Sequence, residues 1–398
     1  MRAESLNVWA RLFAALALLY LFLVGLEAMG LAFKLFGKGL AAQLIATTAN
    51  PFVGLFIGVL ATSLVQSSST TTSITVGLVA GGALTIEGAI PIIMGANIGT
   101  SVTNTLVSLG HVTRREEFRR AFAGATIHDV FNWLTVLLLL PLEIAFGYLG
   151  KTASILARGV EGLGGIELLS PVKAVVKPAA EGLSALVGHS GALTLAAGVV
   201  CTFVALKFLV DVLRHLFTRQ AEQVLHRTVF RNPLAAIGVG ALLTIMVQSS
   251  SITTSSVIPL VGAGILTLEQ VFPYTVGANL GTTVTALLAA LVTGSSAAVT
   301  VALAHLLFNL NGAVVVYGIP WVRRVPLAIS RWLGDLGFRN RPLAVLYVLL
   351  MFFGLPILLL ILTGSLDSRE ANADARPEHL SSHTTSIHHP SREIPDVR

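Results

Sequence analysis

The stretches "VQSSSTTTS" at Val65–Ser73 and "VQSSSITTS" at Val247–Ser255 each set a glutamine, three serines and further hydroxyl side chains inside apolar sequence. A soluble core avoids buried polar groups that lack partners, and a lipid-facing helix has little use for them. Their surroundings decide what they are for. The 398 residues are 54% hydrophobic and 12% charged, with mean hydropathy +0.81. Soluble domains carry about a quarter charged residues, so this composition belongs in a bilayer. Apolar runs near the roughly 20 residues needed to cross one recur: Leu12–Phe33, Asn132–Leu149, Ala192–Val210, Leu343–Leu362, and Ala297–Tyr317, which holds His305, Asn309 and Asn311. The first run follows Arg2 and Arg11, lacks an obvious small-residue cleavage site, and reads as a retained signal-anchor.

The net charge of +6 is concentrated in short basic clusters at Arg114–Arg120, Arg214–Arg231 and Arg323–Arg341. Cytoplasmic loops of membrane proteins have this bias, so no nucleic-acid role is assigned to them. The lone Cys201 excludes an intramolecular disulfide and a thiolate metal site.

The two motifs belong to a long repeat. The sequence from Asn50 to Thr103 aligns without a gap to Asn232–Thr285, with about half the positions identical. Asn50-Pro51 pairs with Asn232-Pro233, Glu87 with Glu269, Pro91 with Pro273, and "GAN" at 95–97 with "GAN" at 277–279. "IHDVFNWL" from Ile127 then matches "AHLLFNLN" from Ala304. Two similar halves with interrupted hydrophobic segments at matched positions are the pattern of a secondary transporter. The loop after the first "GAN" helix is "GHVTRREEFRR", whereas its counterpart "VTGSSAAV" is uncharged. The contrast predicts that the second half is inverted in the membrane.

The expected fold is an all-α polytopic membrane protein with two inverted-topology repeats, each holding a re-entrant QSSS hairpin and a broken helix. Its expected parts are an N-terminal transport repeat (1–149), an external connection (150–190), the inverted second repeat (191–320), a basic loop and final transmembrane helix (321–366), and a disordered polar tail (367–398). The tail holds His379, His383, His388 and His389, read as solvated rather than metal-binding.

Serine and glycine favour breaks in a helix, because hydroxyls compete for backbone hydrogen bonds and glycine is conformationally free. Mid-membrane, such a break survives only where protein or water satisfies it. It exposes helix N-termini with free N–H groups, which suit an anion. The glutamine carbonyl, the carbonyls of Asn97 and Asn279, and the hydroxyls of Thr100, Ser101, Thr103, Thr282, Thr283 and Thr285 are hard oxygen ligands for a small cation. An isolated membrane serine usually serves as a small packing residue, but duplication at matched positions favours a site. His128, Asp129 and His305 could relay protons, though hydrogen-bonded structural roles fit them better. Ser67, His128 and Asp129 do not form a nucleophile elbow, so no enzyme is expected.

The paired QSSS motifs, "IPIIMGANIGTSVTNT" from Ile90, "EEFRRAFAGATIHDVFNWLTVLLLLPLE" from Glu116, "GANLGTTVTALLAAL" and "AHLLFNLNG" resemble the type II sodium-dependent phosphate cotransporter family. The chain is similar to a compact, bacterial-type Na⁺/phosphate symporter. The resemblance implies Na⁺-driven uptake of inorganic phosphate by alternating access, with Na⁺ as coupling ion and no other cofactor. It implies phosphate on Gln66, Ser67, Ser68, Ser69, Gln248, Ser249, Ser250 and Ser251. It implies Na⁺ on Gln66, Asn97, Thr100, Ser101, Thr103, Gln248, Ser249, Asn279, Thr282, Thr283 and Thr285. The implied setting is the cell membrane with a cytoplasmic N-terminus. Family members are described with both termini cytoplasmic, whereas a count of crossings here puts the termini on opposite sides. The resemblance admits a homodimer, which the residues themselves do not show. Rival readings are another small oxyanion, outward transport by the same architecture, or a membrane receptor or scaffold.

Overall fold

The computed structural model describes residues 8–162, 170–202 (with 204, 205, 208 and 212) and 232–363. The Arg214–Arg231 cluster and the His-containing tail lie outside the described residues. Among the described residues all regular elements are helical. Six of these helices are long and apolar enough to cross a membrane: Phe13–Ala32, Ile86–Leu109, Arg115–Phe146, Leu268–Thr293, Ser296–Gly318 and Arg341–Thr363. The chain is a polytopic all-α membrane protein.

Helix α1 (Val8–Thr48) leads into the first hairpin, α2 (Pro51–Val65) and α3 (Ser68–Ala80). Asn50 caps α2 by accepting from Phe52 N, and Pro51 occupies the first turn, where a missing N–H costs nothing. Gln66 then takes a left-handed backbone, φ 55°, which ends α2. Ser67 is extended and caps α3. After α4 (Ile86–Thr100), α5 (Val102–Leu109), α6 (Arg115–Phe146), α7 (Tyr148–Gly162), α8 (Ser170–Leu186) and α9 (Gly191–Thr202), the second half repeats these devices. Asn232 caps α10 (Pro233–Val247), Gln248 has φ 56°, and Ser249 caps α11 (Ser250–Ser256), which runs through Val257 into α12 (Ile258–Gly262).

One expectation fails here. A broken helix was expected in each half, at the "GAN" segments, but α13 (Leu268–Thr293) is continuous. The first-half counterpart is interrupted only at Ser101, which keeps right-handed backbone angles between α4 and α5. The hydroxyls of Thr282 and Thr283 bond back to Ala278 O and Leu280 O, so these residues stay within the helix instead of opening it.

The glycines set a close approach instead. A Cβ on Gly58 would lie 2.0 Å from Ile92 O, and one on Gly95 would lie 1.9 Å from Leu55 O. At the matched contact, Gly240 would meet Tyr274 O at 2.2 Å and Gly277 would meet Ile237 O at 2.0 Å. Thus α2 lies backbone-to-backbone on α4, and α10 lies likewise on α13, the small-residue contact that membrane helices use.

The stretch expected as a connection between the halves is helical: α7 packs on α14 (Ser296–Gly312) and α8 on α1. Glu143 caps α7, accepting from Leu149 N at 2.6 Å and Gly150 N at 3.3 Å. Helix α15 (Pro320–Arg339) packs on the basic end of α6, where Arg119 meets Asp335 at 3.4 Å. Helix α16 (Arg341–Leu349) opens the last span. A cleft of about 390 Å³ is lined by Arg119, Arg120, Leu268, Glu269 and Arg331, at the start of α6. Another, of about 500 Å³, is lined by Ile86, Glu87, Glu143 and Gly147, at its far end. Neither contains a residue of the two QSSS motifs.

Candidate functional site

The two breaks meet. Ser69 Oγ donates to Gln248 O at 3.4 Å, across 179 residues of chain. Ser67 Oγ accepts from Thr70 N at 3.2 Å, and Ser249 Oγ accepts from Ile252 N at 3.3 Å. Ser68, Ser69, Ser250 and Ser251 are buried behind these caps. The N–H groups of Ser68 and Ser69 open the first turn of α3, so they have no acceptor within the helix.

The hydroxyls on the facing helices point their protons inward to the backbone. Thr100 donates to Ala96 O at 2.9 Å, Ser101 to Ile98 O at 2.7 Å, Thr282 to Ala278 O at 3.1 Å and Thr283 to Leu280 O at 2.7 Å. Asn97 Nδ2 likewise donates to Ile93 O at 2.9 Å. An oxygen whose proton is already engaged offers lone pairs alone, which is cation chemistry. The two serine-capped helix starts offer N–H donors, which is anion chemistry. The same break region therefore presents both.

Behind it runs a buried hydrogen-bonded chain that the sequence did not disclose. Asn132 Nδ2 donates to the carbonyl oxygen of Asn97 at 2.7 Å. A backbone carbonyl can only accept, so this end fixes the links as far as His128 Nε2. Asn132 Oδ1 must accept from Asn279 Nδ2, 2.7 Å away, and Asn279 Oδ1 must accept from His128 Nε2, 2.6 Å away. Nε2 of His128 therefore carries a proton, and its Nδ1 lies 3.2 Å from Asn104 Nδ2. Asn104 Oδ1 in turn accepts from Thr254 Oγ1 at 2.9 Å. The chain ties α6 to both halves. His128 has a partner at each ring nitrogen, and Asp129 accepts from Tyr347 with Ser101 Oγ 3.2 Å away.

Matched positions do not make matched bonds. Thr285 Oγ1 donates to Gln248 Oε1 at 2.7 Å. Its counterpart Thr103 leaves its hydroxyl buried and without a partner among the described residues, while Gln66 is exposed. Both ring nitrogens of His305 and the Oδ1 of Asn309, counterparts of His128 and Asn132, are also buried without partners. All the expected site residues thus lie on the two hairpins and the helices facing them. Among them the structure forms a Thr285–Gln248 bond and no matching Thr103–Gln66 bond. Sequence reasoning missed Asn104 and Asn132. The signal for Asn132 was its duplication as Asn309; Asn104 had none, since Ala286 occupies its matched position.

Known proteins match the sequence over most of the chain. The chain is 36% identical over 421 residues to sodium-dependent phosphate transport protein 2A of Ovis aries, covering 86% of this chain and 66% of that protein. It is 34% identical over 444 residues to sodium-dependent phosphate transport protein 2B of Homo sapiens, covering 87% and 64%. The chain thus spans just under two thirds of the length of these curated relatives. No solved structure gives a significant match. The family described as Na⁺/Pi-cotransporter matches residues 21–158 and 202–318, a span that takes in both hairpins, both "GAN" segments and both histidines of the matched "H…FN" pairs. With more than half of its length inside that match, the chain belongs to the Na⁺/Pi-cotransporter family.

Proposed function

We propose that the protein is a Na⁺-coupled importer of inorganic phosphate that works by alternating access. The observation that carries this is the meeting of the two breaks, Ser69 on Gln248 O. Phosphate docks on Gln66, Ser67, Ser68, Ser69 and on Gln248, Ser249, Ser250, Ser251, using the serine hydroxyls and the free N–H groups of the helix starts. Na⁺ takes the outward lone pairs of Asn97, Thr100, Ser101, Thr103, Asn279, Thr282, Thr283 and Thr285, together with Gln66, Gln248 and Ser249. Bound Na⁺ adds positive field beside the anion, so each ion strengthens the other's binding. Low internal Na⁺ then releases phosphate inside.

The inverted arrangement of the halves is part of this reading. Its support is that the matched helix starts, Ile86 of α4 and Leu268 of α13, line clefts at opposite ends of the 32-residue helix α6. The protein is placed in the cell membrane with its N-terminus cytoplasmic, as a carrier and not an enzyme; a homodimer is left to the oligomeric state in detergent. Each net charge carried inward contributes about 2.3 kcal/mol per 100 mV of membrane potential.

The test is labelled-phosphate uptake into proteoliposomes against an imposed Na⁺ gradient, with Ser249→Ala beside wild type. Saturable uptake that collapses when choline replaces Na⁺, and falls in the variant, is expected. Uptake indifferent to choline overturns the coupling. Equal competition by sulfate overturns the choice of anion.

A further inference from the structure

We propose that His305 and Asn309 are positioning residues of the transport cycle, gripping Asn97 in the state opposite to this one. There they repeat the bonds that His128 and Asn132 make to Asn279 here. The inference rests on the alternating-access reading and deepens it.

The argument is the consistency of the asymmetry. On one side of the site, formed by α10, α13 and α6, the bonds are made: Gln248 to Thr285, His128 to Asn279, Asn279 to Asn132. On the matched side, formed by α2, α4 and α14, they are open: Thr103 Oγ1, both nitrogens of His305 and Asn309 Oδ1 lack partners among the described residues. Ala286 stands where Asn104 serves His128 Nδ1, which accounts for one open nitrogen of His305. For Thr103, the other His305 nitrogen and Asn309, the residue types are those of their counterparts, with facing asparagines at 97 and 279, so sequence does not explain their difference. His305 and Asn309 are each 1% exposed; Asn309 Nδ2 donates to His305 O at 3.2 Å, but a fully buried imidazole and amide oxygen are seldom left unpaired. Ser69 bonds to Gln248 O, whereas its counterpart Ser251 makes no bond to Gln66 O. Exposure at the breaks themselves differs in the same sense: Gln66 is exposed and Gln248 is half-buried. A repeat protein with one half closed and the other open has a second arrangement in which these roles are exchanged. In it Asn97 rotates off Ile93 O, accepts from His305 and donates to Asn309.

The exchange predicts opposite effects from equivalent substitutions. In a Cys201→Ser background, single cysteines at position 65 or 247 report which break is accessible, through their rate of reaction with a small methanethiosulfonate in proteoliposomes. His305→Ala is expected to raise the 65-to-247 rate ratio, and His128→Ala to lower it, each about fivefold, the population change worth one buried hydrogen bond. Asn309→Leu, which removes the open amide oxygen without a cavity, together with the intrahelical bond from Nδ2 to His305 O, is the second variant and must shift the ratio the same way as His305→Ala. Shifts in the same direction for both histidines, or an unchanged ratio in folded His305→Ala or Asn309→Leu, overturn the proposal. The second result is what a fixed buried water on His305 would give. Labelling needs neither Na⁺ nor phosphate, so the exchange can hold in a protein that fails the uptake test. Equally, Na⁺-driven uptake with an unmoved ratio defeats the exchange alone.

Discussion

Gln66 and Gln248 hold a left-handed backbone that costs an ordinary residue about 1–2 kcal/mol. Neither position has glycine, which would adopt it freely, so the side-chain amides are retained against strain, as at functional sites. Gln66→Gly is therefore expected to keep or slightly raise the melting temperature while saturable phosphate uptake is lost; a variant that transports normally removes Gln66 from the site. Gln248 differs, because its amide also donates to Ile245 O at 2.6 Å and accepts from Thr285. The polarity of the buried chain gives a second expectation. Asn279→Asp replaces the donor to Asn132 with an acceptor, so it should destabilise the protein by about 1–3 kcal/mol, measurable as a lower thermal midpoint in detergent. Asn279→Asp at full stability would mean that the chain does not run in the direction assigned. At this scale the sequence shows which residue types recur at matched positions and not which of them are engaged. Two halves with the same side chains at matched positions read alike, and only their packing separates a bonded His128 from an unbonded His305.

The helices were the most legible part. Asn-Pro starts, serine and threonine caps, and the glutamine breaks all fell where hydrogen-bond chemistry places them, in both halves. The failure at α13 is instructive. A run of glycine, threonine and asparagine reads as a helix breaker, yet in a membrane those hydroxyls satisfy the helix's own carbonyls and the glycines let a neighbour approach. The two kinds of glycine separate experimentally. Gly95→Ala and Gly277→Ala drive a methyl into a backbone carbonyl of α2 or α10 and should cost at least ~2 kcal/mol, seen as loss of folded monodisperse protein. Gly82→Ala meets nothing within 4 Å and bears only its φ of +76°, so it should fold with a penalty of about 1–2 kcal/mol. Equal behaviour of Gly82→Ala and Gly95→Ala would remove the close-approach account.

For the whole molecule, inversion of the halves predicts opposite accessibility of equivalent points. Cysteines replacing Glu87 and Glu269, at the matched starts of α4 and α13, should react with an impermeant maleimide from opposite faces of sealed vesicles. Labelling of both from one face would make the halves parallel and end the inverted reading. The inverted reading is drawn from the duplication and from the contrast between the charged and neutral loops, both in the sequence. The helical α7 and α8 were not, since their small, weakly polar residues carry little hydrophobic signal of their own. The glycine contacts have a mechanical result. With carbonyls of α2 seated against Gly95 and carbonyls of α4 against Gly58, α2 cannot slide along α4 without separating from it, and the same holds for α10 on α13. Each pair is obliged to travel as a single rigid block. The pliable points that remain beside it are the glutamine–serine corner and the turn at Gly81–Gly82, so the joints of any moving part are settled by where glycine lets two backbones touch.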